Sequence, residues 1–574
     1  MFAIQAILLL LTLWISKILG KKWLIAWGIR DELRSRCPGA AILWINPFRT
    51  LAIVTGPFFP TQGKVGYYYG KFSVFAKFGT TCLSSVVFWD AIPTFWISDA
   101  DAIRIVSSDR KTFTKDVEAY ETLNIYGQNM VGTEGAVWKR HRAVAKPAFN
   151  EANNAFVWSE SIRIATEWFA DIDNRMSGTA RECTVDLLKD LTQLTLLVIS
   201  TAGFGRRVSW SEDTAAVPPP GHKIAFRPAV TSAISHLIPK VLTPDFIYDF
   251  SDWAHLPFVS PALKETRESF EALKFHMLDV ISLARAWVAS GKAVDMDAAL
   301  LRNLVEANMF EEADFNYKRL TDDELLSNTL TFLLAGHGEH PSLPDENIYG
   351  LENLSETTAH TICFALVLLA LYPDVQRRVY EEVSRSWPEG ATAPSYRESV
   401  ATLEYTKNVF LETLRLFPPV ARLGKLVQAN SILPARRFQM SPEGKPCNIE
   451  QIPVAIEKGS LVIIDIFGLH MNPIHWGDDV EEFRPERFID TESYRWPRDA
   501  FFAFAGGPRS CIGQRFAMTE GLSLIANIVR NYEILVPYDL RDKGAEEQRK
   551  ILLEWSPNIT ILPVGARALF RRRR

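Results

Sequence analysis

Cysteine is scarce in this chain: six residues in 574, at 37, 82, 183, 363, 447 and 511, with no C-x-x-C pair. That pattern excludes a disulfide framework and a structural zinc site, and points to a reducing compartment. Charge of neither sign dominates, because 63 basic side chains face 67 acidic ones for a net charge of -4. No global field therefore draws the chain to nucleic acid or to an acidic partner. Internal repeats and low-complexity tracts are absent. So is a G-x-G-x-x-G fingerprint for a flavin or dinucleotide, so any electrons used must come from another protein. Strand-type runs are few and short, at 51 to 55, 93 to 98 and 460 to 466.

What is present is ample core material, 47% hydrophobic and 11% aromatic, and one long apolar run. Residues 2 to 16 carry no charge, and Ile18, Leu19 and Gly20 extend the run past Lys17. A bilayer core takes roughly 20 apolar residues in a helix, and Lys17 can snorkel to the headgroups. A cleaved signal peptide fits less well: no basic residue precedes the run and no A-x-A-like site follows it. Residues 1–22 are thus expected to form a single transmembrane anchor. Lys17, Lys21, Lys22, Arg30, Arg34 and Arg36 place everything downstream in the cytosol under the positive-inside bias.

Pro38, Gly39, Pro47, Gly56, Pro57 and Pro60 suggest a stiff connector over 23–60, followed by one catalytic domain over 61–574. Apolar residues recur at three and four over 155 to 172, 184 to 203, 263 to 289, 321 to 336, 358 to 383 and 402 to 416. The fold class is mainly α with small β-sheets. The stretch 225 to 260, rich in Phe, Ile, Leu, Pro and Trp, suits a membrane-touching face and ordinary helix packing equally. The terminal R-R-R-R reads as a solvated tail.

Near the C-terminus, F-F-A-F-A-G-G-P-R-S-C-I-G-Q-R-F-A sets Phe504, Gly507, Arg509, Cys511 and Gly513 in the pattern F-x-x-G-x-R-x-C-x-G. Five fixed positions at about 5% usage each make a chance match on the order of 2 in 10,000, so Cys511 is not read as a small buried hydrophobe. A cysteine reaching a flat macrocycle needs a loop with little bulk beside it, which Gly507 and Gly513 supply. Cys511 also precedes a helix expected over 514 to 529, whose amide end should lower the thiol pKa. Arg509 can pair with a propionate, and Phe504 can pack on the ring or the sulfur.

This segment resembles the haem-binding loop of the cytochrome P-450 superfamily, most closely the microsomal, reductase-served kind found in fungi. Further motifs agree in the family's order. Glu412 and Arg415 in F-L-E-T-L-R-L-F-P-P-V, with Arg487 in F-R-P-E-R-F, resemble the family's buried Glu-Arg-Arg cluster. Trp138 and Arg142 in W-K-R-H-R match its W-x-x-x-R, which implies two propionate contacts, and Arg422 after F-P-P-V is a third. His141, His337, His470 and His475 are not assigned to iron, because the thiolate already supplies the ligand. The resemblance covers about residues 60 to 565. It implies haem b (iron protoporphyrin IX), O2, an NADPH-cytochrome P-450 reductase on the same membrane and a lipophilic small-molecule substrate, as in secondary or xenobiotic metabolism. Thiolate ligation favours O-O cleavage, and Glu356 and Thr357 would relay protons. Two rival readings are a reductase-independent haem-thiolate isomerase and a catalytically impaired haem-binding membrane protein.

One departure stands out. The family's contiguous A-G-x-[D/E]-T is interrupted: residues 338–355 separate Ala335-Gly336-His337 from Glu356-Thr357. Pro341, Pro344 and Gly350 make the insert a helix breaker, and removing it restores one apolar helix containing A-G-H-E-T-T. Gly338-Glu339 can be coded G-GTGAG and Ser355-Glu356 TCAG-AR, so excision would rejoin a Glu codon in frame. The insert therefore reads as an unspliced short intron, the alternative being a tolerated loop.

Overall fold

The computed structural model describes residues 2–39, 41–49, 52, 70–176, 181–254, 259–290, 299–309, 319–335, 357–388, 390–557 and 560–573. Helices carry most of them, with small sheets between. Those that bear on the site are α1 Phe2–Arg36, α2 Ala100–Ser108, α3 Gly135–Ala145, α4 Glu151–Arg175, α5 Leu187–Phe204, α6 Asp322–Ala335, α7 Thr357–Leu371, α8 Glu404–Leu416 and α9 Gln514–Asn531. The insert 338–355, with Gly336, His337 and Glu356, lies outside the described residues. Backbone packing groups the chain into two compact units. The first is Met1–Ala119, Ala421–Glu482 and Pro497–Ser510, and the second Tyr120–Val420, Phe483–Trp496 and Cys511–Arg574.

In the first unit, β1 Ala41–Leu43, β2 Cys82–Val87, β3 Ile92–Ile97, β4 Phe113–Lys115, β6 Arg422–Val427 and β9 Leu461–Asp465 form a sheet in the order β1-β2-β3-β9-β6-β4. β5 Glu182–Asp186 belongs to the second unit. The run L-V-I-I-D of β9 is buried along its whole length, as expected for a strand covered on both faces, and it pairs parallel to β3 with Thr94 opposite Leu461. A hairpin of β7 Ser431–Met440 and β8 Pro446–Ile456 turns at Gly444, whose φ is +78°.

Helix α1 does not stop at residue 22, where the sequence reading ends the anchor, but runs unbroken to Arg36. Ala26 and Leu33, seven residues apart on one face, are buried, and the Cys37 thiol donates to the carbonyl of Cys82 at 3.4 Å. The second half of the helix thus docks on β2, and helical periodicity outweighs the prolines that follow. Toward the other end Leu9, Leu10, Leu13 and Trp14 are exposed.

The second unit is built around α5, which is long and apolar enough to cross a membrane but 94% buried in the protein, the mark of a core helix. α4 lies along α9. The helix expected over 358 to 383 is two helices, α7 and Pro373–Ser386, bent by 110°, because Pro373 cannot continue the hydrogen-bond ladder of α7. In the 225 to 260 stretch Phe226, Val230 and Ile234 are buried, whereas Phe246 and Phe250 are exposed. Arg571, Arg572 and Arg573 are not a loose tail. β13 Arg567–Arg572 pairs with β10 Tyr532–Leu535 and β5 Glu182–Asp186. Arg571 meets Glu182 at 2.5 Å and Arg573 donates to the carbonyl of Val529 at 2.8 Å. Acidic partners and strand pairing convert a charge run into structure.

Within α9, burial lifts the carboxyl of Glu520 to about 8. A folded-state pKa above the unfolded value of about 4.3 means the fold holds the proton. Stability is fully present at low pH and is lost as pH rises through the native value, at up to about 1.4 kcal/mol per unit. Glu520→Gln is expected to be near neutral at pH 5 and stabilising by a few kcal/mol at pH 8, as read from denaturant midpoints across that range.

Candidate functional site

In the second unit, Cys511 sits two residues ahead of Gly513, the N-cap of α9. Its thiol is not in a disulfide. Cys511 is accessible from outside, and protein packs close around its thiol. Burial raises the thiol pKa, while the Gly513 N–H and the Arg142 guanidinium pull it down. The helix end thus acts in the direction anticipated from sequence, but desolvation outweighs it, and the net shift is upward. Bonding to a metal deprotonates a thiol outright, so the free-thiol value does not oppose a ligand role. Gly513 has room, since a Cβ there would meet Phe149 at 3.8 Å and the Cys511 sulfur at 3.9 Å.

Trp138 and Arg142 are one turn apart on α3, and the guanidinium lies over the indole ring at 5.6 Å. Trp138 is buried. Arg142 is close enough to act on the Cys511 thiol electrostatically, although 369 positions separate them in the chain (511 minus 142). A soft, solitary thiol, a cationic guanidinium and an indole N–H are the donor set that a haem iron with its propionates asks for.

Glu412 and Arg415 on α8 and Arg487 are buried completely. Arg415 Nε and Nη2 donate to the two carboxylate oxygens of Glu412 at 2.6 and 2.8 Å, and Arg487 Nε reaches Oε1 at 3.3 Å. Sequence did not reveal that the backbone N–H of Arg484 also donates to Oε1, at 3.0 Å. One carboxylate therefore compensates two buried guanidinium groups and a peptide. Removing a single member of a buried ionic set leaves uncompensated charge and costs about 3–5 kcal/mol. Glu412→Ala is expected to lose that much, measured by denaturant unfolding, with Glu412→Gln close behind because both arginines stay.

Phe504, Gly507, Arg509 and Arg422 belong to the first unit. Gly507 has φ +67°, and a Cβ there would collide with the carbonyl oxygen of Ser107 on α2. The glycine is thus demanded by the approach of α2 as well as by the turn. Arg422 opens β6, buried, with Nε 3.8 Å from Asp465 Oδ2 and its guanidinium over Trp96 at 4.9 Å. Burial raises the pKa of Asp465, against the opposing pull of Arg422 and the Gly468 N–H. Asp465 is a neighbour that sequence reading missed; its only signal was the acid closing the apolar run L-V-I-I-D.

Thr357 is the first residue of α7, and its carbonyl accepts the Thr361 hydroxyl at 2.7 Å. Three of the histidines have protein partners. His470 Nε2 accepts from the Phe502 N–H at 2.8 Å, His475 Nε2 from the Ala100 N–H at 3.3 Å, and His141 Nδ1 from the Asn328 amide at 3.1 Å. Among the described residues no group of three or more His, Cys, Asp or Glu side chains is arranged to hold a metal ion. A haem iron held by one cysteine sulfur would need none.

Comparison with known proteins agrees with this geometry. The family model described as Cytochrome P450 matches residues 73–340 and 354–562, leaving 341–353, inside the insert, unmatched. Cytochrome P450 monooxygenase 124 of Postia placenta is 35% identical over 520 residues, 90% of each chain. Cytochrome P450 monooxygenase 128 of the same fungus is 28% identical over 479 residues, 79% of each chain. Cytochrome P450 monooxygenase prx9 of Penicillium rubens is 25% identical over 482 residues, 79% of this chain and 76% of its own. With both the length of the match and the thiolate loop in agreement, the chain belongs to the cytochrome P450 family and is a monooxygenase.

Proposed function

We propose that the chain inserts one oxygen atom from O2 into a lipophilic small molecule, with haem b held through Cys511 and two electrons delivered by an NADPH-dependent cytochrome P450 reductase. The observation that carries this reading is the solitary Cys511 thiol ahead of α9, with the Gly513 N–H and Arg142 acting on it. Bound haem supplies dioxygen activation, favoured by electron push from the thiolate. Cys511 would hold the haem iron through its sulfur. Trp138, Arg142, Arg422 and Arg509 would hold the propionates, and Phe504 would pack beside the sulfur. Glu412, Arg415 and Arg487 fix the backbone of 484 by the hydrogen bond from its N–H. Thr357, with Glu356, moves protons toward the reacting oxygen. Residues 1–22 anchor the chain in the endoplasmic reticulum membrane with the remainder in the cytosol, a reading supported by the exposed leucines and Trp14 of α1.

A second reading, impaired oxygen activation in the chain as written, is favoured by the gap in the family match at 341–353. Product formation decides among the possibilities. A monooxygenase forms oxygenated product only with O2, reductase and NADPH together. An isomerase converts a peroxide without reductase. An impaired protein consumes NADPH while forming little product.

A further inference from the structure

At the C-terminal end of α1, in the first unit, two cysteines from separate parts of the sequence meet. Cys37 follows the last turn, its N–H donating to the Leu33 carbonyl at 2.8 Å, and Cys82 is the first residue of β2. Forty-five positions separate them (82 minus 37). The Cys37 thiol nevertheless donates to the Cys82 carbonyl at 3.4 Å and lies 3.9 Å from the Cys82 sulfur. Both residues are buried, at 1% and 2% exposure, and both thiols are free.

The backbone is held on both sides of the pair. The Ser84 N–H donates to the Pro38 carbonyl at 2.7 Å, and the Ser84 hydroxyl donates to the Cys37 carbonyl at 2.8 Å. Gly39 has φ +107°, and a Cβ there would come within 2.7 Å of the Ser84 carbonyl oxygen. Cys82 lies opposite Ile97 of β3, and its N–H donates to the Thr80 hydroxyl at 3.2 Å. With both backbones fixed, the side chains set the separation of the sulfurs. A disulfide needs about 2.05 Å, and the 3.9 Å gap closes by rotation about the two Cα–Cβ bonds. The hydrogen bond from the Cys37 thiol, together with burial, raises the Cys82 thiol well above its ordinary pKa, so Cys82 stays protonated until its partner has reacted.

We propose that Cys37 and Cys82 are an oxidisable dithiol, which a hydroperoxide converts into a disulfide that fixes the end of α1 covalently on β2. The Cys37 sulfur attacks the peroxide, the O–O bond breaks, and Cys37 becomes a sulfenic acid as one water leaves. The Cys82 sulfur then attacks the Cys37 sulfur, gives up its proton and displaces the hydroxyl as a second water. In all, the two thiols lose two electrons and two protons, and hydrogen peroxide is reduced to two waters. A reducing compartment keeps the pair as thiols at rest, so the bond forms only when peroxide accumulates. Neither step uses Cys511 or a haem, and the inference stands apart from the monooxygenase reading.

Full-length holoprotein is treated with hydrogen peroxide, its remaining thiols are blocked with iodoacetamide under denaturing conditions, and linked peptides are mapped by mass spectrometry. A Cys37–Cys82 peptide is expected in most of the oxidised molecules and in none of the untreated ones, and dithiothreitol should return it to two thiols. Cys37→Ser should yield no linked peptide containing Cys82. In oxidised wild type the amides of Cys37 and Ser84 are expected to exchange with solvent about tenfold more slowly. The bond closes a loop from 37 to 82, so the thermal midpoint should also rise by a few degrees. Should Cys37→Ser not fold, oxidised wild type before and after dithiothreitol supplies the comparison. Absence of the linked peptide, while the exposed Met440 is converted to sulfoxide, overturns the proposal. A linked peptide with unchanged exchange at Cys37 and Ser84 overturns the fixing of α1.

Discussion

Cys511→Ala should abolish the red-shifted, thiolate-type Soret band of the reduced, carbon-monoxide-bound protein, and with it all reductase-dependent product. The band reports a sulfur anion bonded to iron, and no other cysteine is placed to substitute. Cys37 and Cys82 are buried against each other, their sulfurs 3.9 Å apart, and Cys363 is buried within α7. Cys183 and Cys447 sit in strands. The cost of the substitution to the fold should be small, because Gly513 and Arg142 remain and the residue is accessible. Loss of the band with retained thermal stability is therefore the expected pair of results. A red-shifted band surviving in Cys511→Ala would mean that the ligand is another thiolate and that the loop has been misread.

The residues that were legible from sequence share one property: their chemistry is tied to a fixed local spacing. The loop around Cys511, the Glu-Arg pair one turn apart on α8 and the long apolar helices all declare themselves within a short window. The hairpin of β7 and β8 does not, because R-R-F-Q-M and N-I-E-Q mix exposed charges with few alternating apolar residues; its one signal is S-P-E-G-K, the turn at Gly444. The second half of α1 was hidden by the prolines after it, since the burial of Ala26 and Leu33 depends on a strand about fifty to sixty residues away. The arginine tail was misread for the opposite reason. Its partners Glu182 and Asp173 lie almost four hundred positions upstream, and no local pattern announces a strand pairing of that range.

Deleting residues 338–355 is expected to raise coupled product formation by about 10²-fold or more, the range by which positioned proton donors contribute, while leaving the carbon-monoxide band unchanged. α6 ends at Ala335 and α7 begins at Thr357, and the family match breaks within the same interval. In the sequence, residues 338–355, with Pro341 and Pro344 among them, separate Ala335 and Gly336 from Glu356 and Thr357, and proline breaks a helical hydrogen-bond ladder. On the proposed reading, haem ligation draws on Cys511 and its neighbours, none of which lies in the insert, and so should survive it. On the same reading, proton delivery draws on Glu356 and Thr357, and should not. The two variants then differ in the fraction of NADPH electrons that reach product instead of reduced oxygen species. Sequencing the mature transcript gives the independent arm, because excision of the 54 nucleotides encoding 338–355 leaves the reading frame intact and restores A-G-H-E-T-T. Equal coupling in both proteins, together with a transcript that keeps all 54 nucleotides, would show that the insert is a genuine loop and that oxygen activation proceeds around it.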